Sequence, residues 1–152
     1  MGASVKDRDG SVNLMLEPTP ENVAVARHAV AELASRQGLD DAVRTSAEVV
    51  VTEAFTNAAR HAYSGDEVRG PVEILANAGG DSVEITVRDR GEGIRPRPVG
   101  PDSGGRMGLL LIAALADNVH LLHRPDGGTE VYAALSSASA IRALNAAECP
   151  GC

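Results

Sequence analysis

The sequence has very few aromatic residues: one phenylalanine, two tyrosines and no tryptophan among 152 residues. Since 43% of the residues are nevertheless apolar, the core must be built from valine, leucine, isoleucine and alanine between layers of secondary structure. No run reaches the roughly 18 apolar residues of a membrane span. The N-terminus also lacks the basic and then apolar layout of a signal peptide. We therefore expect a cytoplasmic protein without a membrane segment.

Positive charge is also scarce. Fourteen Lys and Arg residues against 21 Asp and Glu residues give a net charge of -7. This balance argues against bulk attraction to nucleic acid or to an anionic membrane, so we expect no direct nucleic-acid contact, and any phosphate must be held locally.

The two cysteines, Cys149 and Cys152, form a single C-x-x-C at the end of the chain. Because this is half a zinc site, we interpret it as an inert tail, with opportunistic disulfide or metal binding as the alternative.

The length suits one domain with a real core. Residues 1–10 are polar and contain glycine, so we predict that they are disordered. Residues 137–152 are small, polar or alanine-rich, and we interpret them as a C-terminal tail in which a short helix over 138–147 is an option. The folded domain is then expected between these two segments, over residues 11–136.

The first half of the domain is predicted to contain one strand followed by two helices. From Ser11, apolar and polar residues alternate, which predicts a strand with one buried face. Thr19 fits the N-cap of a helix with Pro20 at its first position, where the missing N–H costs nothing. Gly38 is placed at the end of that helix. A second helix then runs to about Tyr63.

The second half of the domain contains two strand pairs and one helix. Residues 72–78 and 82–89 predict a hairpin, residues 106–116 a helix, and residues 119–122 and 129–135 a last strand pair. The apolar face of that helix is predicted to contain Met107, Leu110, Leu111, Ala114 and Leu115. Runs of hairpin strands with helices gathered apart indicate an α+β two-layer sandwich, with helices on one face of a mostly antiparallel sheet.

A line of polar residues marks the second helix. Glu53, Asn57 and His61 recur at every fourth position and therefore share one helix face. Taken alone, such a line is also typical of a solvated helix face. It lies beside an apolar stripe that consists of Val43, Ala47, Val50, Val51, Ala54 and Ala58.

Three further pieces lie downstream. Asp89 falls in register with the buried residues of its strand, where a carboxylate needs a partner, and Gly91 and Gly93 follow it. A glycine-flanked helix start spans residues 104–108, and Gly128 precedes Thr129 before the last strand. Neither a dinucleotide fingerprint nor a G-x-x-x-x-G-K-[ST] phosphate loop occurs. The sequence therefore contains no Walker motif.

Together these four pieces resemble the N, G1, G2 and G3 boxes of the GHKL ATPases, in order, over roughly residues 10–136. Three of the chain's sequence motifs resemble those of the bacterial anti-sigma factor serine/threonine kinases. They read E-A-x-T-N-A-x-x-H, D-R-G-x-G-I and R-M-G-L. The resemblance implies a Bergerat-type histidine kinase-like ATPase domain, with a mixed, mostly antiparallel sheet covered by about three helices.

The resemblance also implies roles for the residues. Asp89 would accept a hydrogen bond from the exocyclic amine of adenine, Thr129 would support the base, and Asn57 would bind Mg²⁺. Glu53 would accept the proton of an attacking hydroxyl. His61 is expected to pack or to hydrogen-bond rather than to react. The glycine-rich stretch after Asp89 would let the backbone pass close to the base; its members are Gly91, Gly93 and Ile94.

The triphosphate is expected at the N-terminus of the helix that starts near Arg106, because unpaired N–H groups there attract anions. Arg106 adds a positive charge, and Gly105 and Gly108 permit close approach. This G2 region reads Gly105-Arg106-Met107-Gly108-Leu109, so its first glycine is displaced from the usual G-x-G-L pattern. Arg95 and Arg97 in the preceding loop could close over the phosphates, but we interpret them as solvated loop residues.

The function implied by the resemblance is partner switching in the control of transcription, in sporulation or in a stress response. Such a protein binds ATP/ADP and Mg²⁺, sequesters a sigma factor and phosphorylates a STAS-type anti-sigma factor antagonist on serine or threonine. A homodimer is expected from the family. The alternative is a nucleotide-binding but non-catalytic sigma- or antagonist-binding module. A histidine kinase fragment is less favoured, because His28 has no acid after it.

Overall fold

The computed structural model describes residues 4–62, 70–90 and 104–148. These residues form six strands and four helices, ten elements in all. In chain order the elements are β1 (Ser4–Arg8), β2 (Ser11–Leu16), α1 (Pro20–Arg36), α2 (Asp41–Ala62), β3 (Val72–Gly79), β4 (Ser82–Arg88), α3 (Gly104–Leu115), β5 (Asn118–His123), β6 (Thr129–Ser136) and α4 (Ser137–Glu148).

The strands form one sheet in the order β1-β2-β3-β4-β6-β5. All five pairings described are antiparallel, so within these ranges the sheet is antiparallel rather than mixed. The helices pack against the face to which the buried residues of the strands point, and none of the described helices is both long and apolar enough to cross a membrane. The predicted α+β two-layer sandwich is therefore confirmed, with four helices instead of about three.

The predicted entry into the first helix is confirmed. Val12, Leu14 and Leu16 of β2 are buried and alternate with half-buried polar residues or methionine. Thr19 then takes an extended backbone conformation as N-cap, and Pro20 begins α1. The hydroxyl of Thr19 makes no cap hydrogen bond, so the fixed φ of Pro20 defines the start of this helix.

Helix α2 is the centre of the helical layer. It contacts α1, α3, α4 and the strands β3, β4 and β6. Its predicted apolar stripe is confirmed, since all six members are at most 4% exposed, and Phe55 is fully buried among them. A helix packed on so many elements holds its side chains in a fixed frame, which makes it a rigid support for the polar residues at its edge.

The N-terminal segment differs from the prediction. Residues 4–8 were expected to be disordered as part of residues 1–10, but they form β1. Every residue of β1 pairs with a residue of β2. Residues 1–3 lie outside the described residues. An edge strand is held mainly by backbone pairing, and such pairing leaves no apolar signal in the sequence.

The buried face of α3 also differs from the prediction. Leu110 and Leu111 are 66% and 41% exposed, whereas Ile112 is fully buried and Gly108 is buried as well. The predicted face was therefore wrong for most of its length, although Leu115 is partly buried against the core. Nearly every residue of α3 is apolar or glycine, so periodicity could not select its buried side.

The residues interpreted as a tail include helix α4, which packs on α2, α3 and β6. Asp117 anchors it: its carboxylate accepts hydrogen bonds from the Ser136 hydroxyl at 2.6 Å and from Arg142 at 2.5 Å. These bonds, first the one from Ser136, lower the pKa of the Asp117 carboxyl below its ordinary value. Ser139 and Ala140 are buried residues of this helix. Cys149 and Cys152 lie outside the described residues.

Candidate functional site

Asp89 lies directly after β4 and is only 4% exposed, as its register predicted. Two hydrogen bonds join it to the start of β6. The backbone N–H of Thr129 donates to the Asp89 Oδ1 at 3.1 Å, and the backbone N–H of Asp89 donates to the Thr129 carbonyl at 3.0 Å. Since a buried carboxylate needs hydrogen-bond donors, this contact stabilises an acceptor group at the end of the strand.

Gly128 makes this contact possible. A Cβ atom at this position would overlap the carbonyl oxygen of Asp89 and would lie 2.9 Å from the Cα of Arg90, and its φ of 92° disfavours any L side chain. The backbone after β4 therefore passes directly over Gly128. The sequence pattern placed Gly128 in a motif but assigned the binding role to Thr129 alone; the doubled glycine before β6 was the available signal.

Replacing Gly128 by alanine is expected to lower the free energy of unfolding by about 2–4 kcal/mol, because positive-φ strain adds to a backbone collision. Gly80→Ala is the matched control, since Gly80 also lies in a hairpin turn with a φ of 62° but has nothing within 4 Å. Its expected cost is about 1–2 kcal/mol. Urea denaturation of both variants measures the difference. Equal losses would contradict a special constraint at Gly128.

Arg88 fixes the end of β4 from the other face of the sheet. Its Nε donates to Glu130 on β6 at 2.6 Å, and a terminal nitrogen donates to Glu73 on β3 at 3.3 Å. The hydrogen bond to Glu130 contributes most to raising the pKa of the Arg88 guanidinium. Three strands are thus tied together one residue before Asp89. Sequence reasoning missed this ion pair because the register of three strands must be known to see it.

Glu53 and Asn57 lie on α2, one turn apart and both half-buried, at the edge of the buried stripe. The carboxylate of Glu53 lies against α3, where its Oε2 is 2.7 Å from the place of a Cβ on Gly108. The structure thus brings together Glu53 and the G2 region, as well as Asp89 and Thr129. The backbone of His61 belongs to α2, and its side chain is outside the described residues.

Helix α3 begins at Gly104, two residues earlier than predicted, so Gly105, Arg106 and Met107 all lie in its first turn. The N–H groups of this first turn have no partner within the helix and favour an anion. Leu109 is partly buried against the core, and the side chains of Arg106 and Met107 lie outside the described residues. The same holds for the predicted site residues Gly91, Gly93 and Ile94.

No group of three or more His, Cys, Asp or Glu residues with metal-ligand placement occurs in the described ranges. The half-buried Asn57 remains the candidate oxygen ligand. A single amide oxygen fits an ion such as Mg²⁺, which usually keeps several waters and takes the rest of its ligands from substrate phosphates. The donor chemistry is therefore compatible with a magnesium ion bound mainly through a nucleotide.

Comparison with known sequences identifies similar proteins. Residues 16–135 match the model of the histidine kinase-like ATPase domain family. The serine-protein kinase RsbW of Listeria innocua is 32% identical over 133 residues, which cover 79% of this chain and 83% of that protein. The anti-sigma F factor of Oceanobacillus iheyensis is 33% identical over 132 residues, which cover 80% and 88% of the two chains.

Comparison with solved structures supports the fold. The RsbU and RsbW domains of a Mycobacterium tuberculosis protein superpose with a TM-score of 0.64 at 23% identity, over 83% of this chain and 32% of that one. The histidine kinase domain of a blue-light activated kinase from Erythrobacter litoralis gives a TM-score of 0.53 at 22% identity, over 82% and 64%. This chain therefore spans about a third and about two thirds of those two proteins.

Proposed function

This chain belongs to the histidine kinase-like ATPase family, and we propose that it is a protein serine/threonine kinase that phosphorylates an anti-sigma factor antagonist of the STAS type and sequesters a sigma factor. The supporting relatives are named serine-protein kinase and anti-sigma factor. The observation that carries the catalytic part is the position of Glu53, whose carboxylate lies against α3 close to the N-terminus of that helix.

In this proposal, ATP is held at two places. The buried carboxylate of Asp89 accepts a hydrogen bond from the exocyclic amine of adenine, and its contact with Thr129 keeps it oriented. The first turn of α3 binds the phosphates through backbone N–H groups, which suits an acidic protein because the attraction is local. The further contacts proposed for the base involve Gly91, Gly93 and Ile94.

The transfer step requires a base and neutralisation of charge. Asn57 would hold Mg²⁺, which supplies positive charge to the phosphate oxygens. Glu53 accepts the proton of the serine or threonine hydroxyl while the hydroxyl oxygen bonds to the γ-phosphorus. The bond between the γ-phosphorus and the bridging oxygen breaks, and ADP leaves with its electron pair. Positioning on the rigid helix α2 provides much of the acceleration.

The rival function is a non-catalytic module that binds nucleotide and a protein partner. Such a module needs the adenine and phosphate sites but no acid beside the phosphates. The placement of Glu53 against α3 favours the kinase. We also propose that the protein forms a homodimer. The proposed partners of the protein are a sigma factor and a STAS-type antagonist.

Calorimetry and phosphate labelling test the proposal together. We expect ATP and ADP to bind in the presence of Mg²⁺ and to bind more weakly after chelation with EDTA. Incubation with γ-phosphate-labelled ATP should then label a purified STAS-type protein encoded in the same genome. Binding without labelling of any such protein would favour the non-catalytic module. Absence of magnesium-dependent binding would contradict both functions.

A further inference from the structure

Gly108 of α3 faces Glu53 of α2. It is buried, as is Ile112 one turn later on the same side of α3. Further along, Leu115 of α3 and Val49 of α2 line a common cavity of about 370 Å³. The two helices therefore run in opposite directions, and the N-terminal part of α3 meets the part of α2 that contains Glu53.

The space of the missing side chain at Gly108 is occupied by Glu53. The three heavy atoms nearest to a Cβ at Gly108 all belong to Glu53, with Oε2 at 2.7 Å and both Cβ and Cδ at 3.6 Å. A separation below 3.0 Å is not compatible with a real Cβ atom, so any side chain here must displace the carboxylate. The glycine thus leaves room for one particular group of the proposed site.

The backbone N–H of Gly108 bonds within α3, unlike the unpaired N–H groups of the first turn of this helix. Gly108 is the fifth residue of α3, and in an α-helix the N–H of the fifth residue bonds to the carbonyl of the first. It is therefore not among the unpaired donors that a phosphate can use. The glycine at this position is explained by the close approach of Glu53 and not by a hydrogen bond to the nucleotide.

We infer that Gly108 is a positioning residue, which seats the carboxylate of Glu53 on α3 about one turn from the helix N-terminus. This inference rests on the proposed function, in which the phosphates occupy that N-terminus. The rise of the helix places Gly108 about 6 Å along the axis from Gly104.

The test is the variant Gly108→Ala. It is expected to fold, because the displaced atoms form the flexible end of a side chain, and alanine is a better helix former than glycine. With the STAS-type protein that the parent chain labels as acceptor, kcat should fall about 10–100-fold, as expected for a base moved by about 1 Å. The KM for ATP and the Kd for ADP should stay within about twofold of the parent values.

The double variant Gly108→Ala with Glu53→Ala is the internal control. If Gly108 acts through Glu53, alanine at 108 should not lower the residual rate of the Glu53→Ala chain any further. Independent losses that multiply would overturn the inference, and so would an ADP affinity that falls along with kcat, since that would place Gly108 at the phosphates.

Crystal structures of the parent and Gly108→Ala chains provide a readout that needs no kinase activity. We expect the Glu53 carboxylate to move away from α3 in the variant while α3 itself stays in place. An unmoved carboxylate, or a shifted helix, would overturn the inference. By contrast, failure of the parent chain to phosphorylate any STAS-type protein would contradict the proposed function. The crystal structures would then still show whether Gly108 sets the position of the Glu53 carboxylate.

Discussion

The Glu53→Ala variant is expected to bind ATP and ADP as tightly as the parent chain and to transfer phosphate about 10²–10⁴-fold more slowly. A positioned general base contributes about that much to a proton transfer. The side chain is half-buried at the edge of α2 and contacts Gly108 rather than the adenine end of the site. Its removal should therefore affect kcat and spare the affinity measured by calorimetry.

Glu48→Ala is a matched control for this prediction. Glu48 is also a half-buried glutamate of α2, but it lies five positions before Glu53, so it points in another direction around the helix. The control should keep the parent rate. A Glu53→Ala chain that labels its acceptor at the parent rate would show that the base has been assigned to the wrong residue.

The Asp89→Asn variant is expected to lose nucleotide affinity by about 100-fold or more while keeping its fold. The new amide has almost the same shape, and its oxygen can still accept the hydrogen bond from the Thr129 N–H. Its NH₂ group, however, is a donor where the adenine amine needs an acceptor. A buried mismatch of this kind leaves polar groups unsatisfied on both sides.

Titration calorimetry with ADP, together with urea denaturation, checks this prediction. Asp81→Asn serves as the control, because Asp81 is an exposed aspartate in the β3–β4 turn. The control should bind ADP like the parent chain. An Asp89→Asn protein that remains folded and binds with parent affinity would exclude Asp89 as the adenine acceptor.

The features that the sequence predicted correctly have strong local signals. The apolar stripe of α2 repeats over several turns, and it is buried as expected. The alternation in β4 placed Asp89 among the buried residues of its strand, because a period of two extends beyond the last strand residue. The order of helices and hairpin strands was sufficient to predict the two layers.

The features that were missed depend on contacts between distant parts of the chain. The Asp89 backbone passes over Gly128, which is 39 positions later in the sequence, and no local pattern reports such an approach. The side of α3 that is buried could not be read from a helix that is apolar nearly all around. Its orientation follows instead from the fit of Gly108 against Glu53 and from the burial of Ile112.

The anchoring of α4 has a consequence for the cooperative unit of this protein. Asp117 precedes β5, Ser136 ends β6 and Arg142 lies on α4, so one carboxylate connects three elements. The family match ends at residue 135, before this helix begins. Local opening of α4 would uncover Ala140 and release the end of β6. Because α4 packs on α2, α3 and β6, we expect the cooperatively folding unit to extend past residue 135, into a segment that the family model does not include.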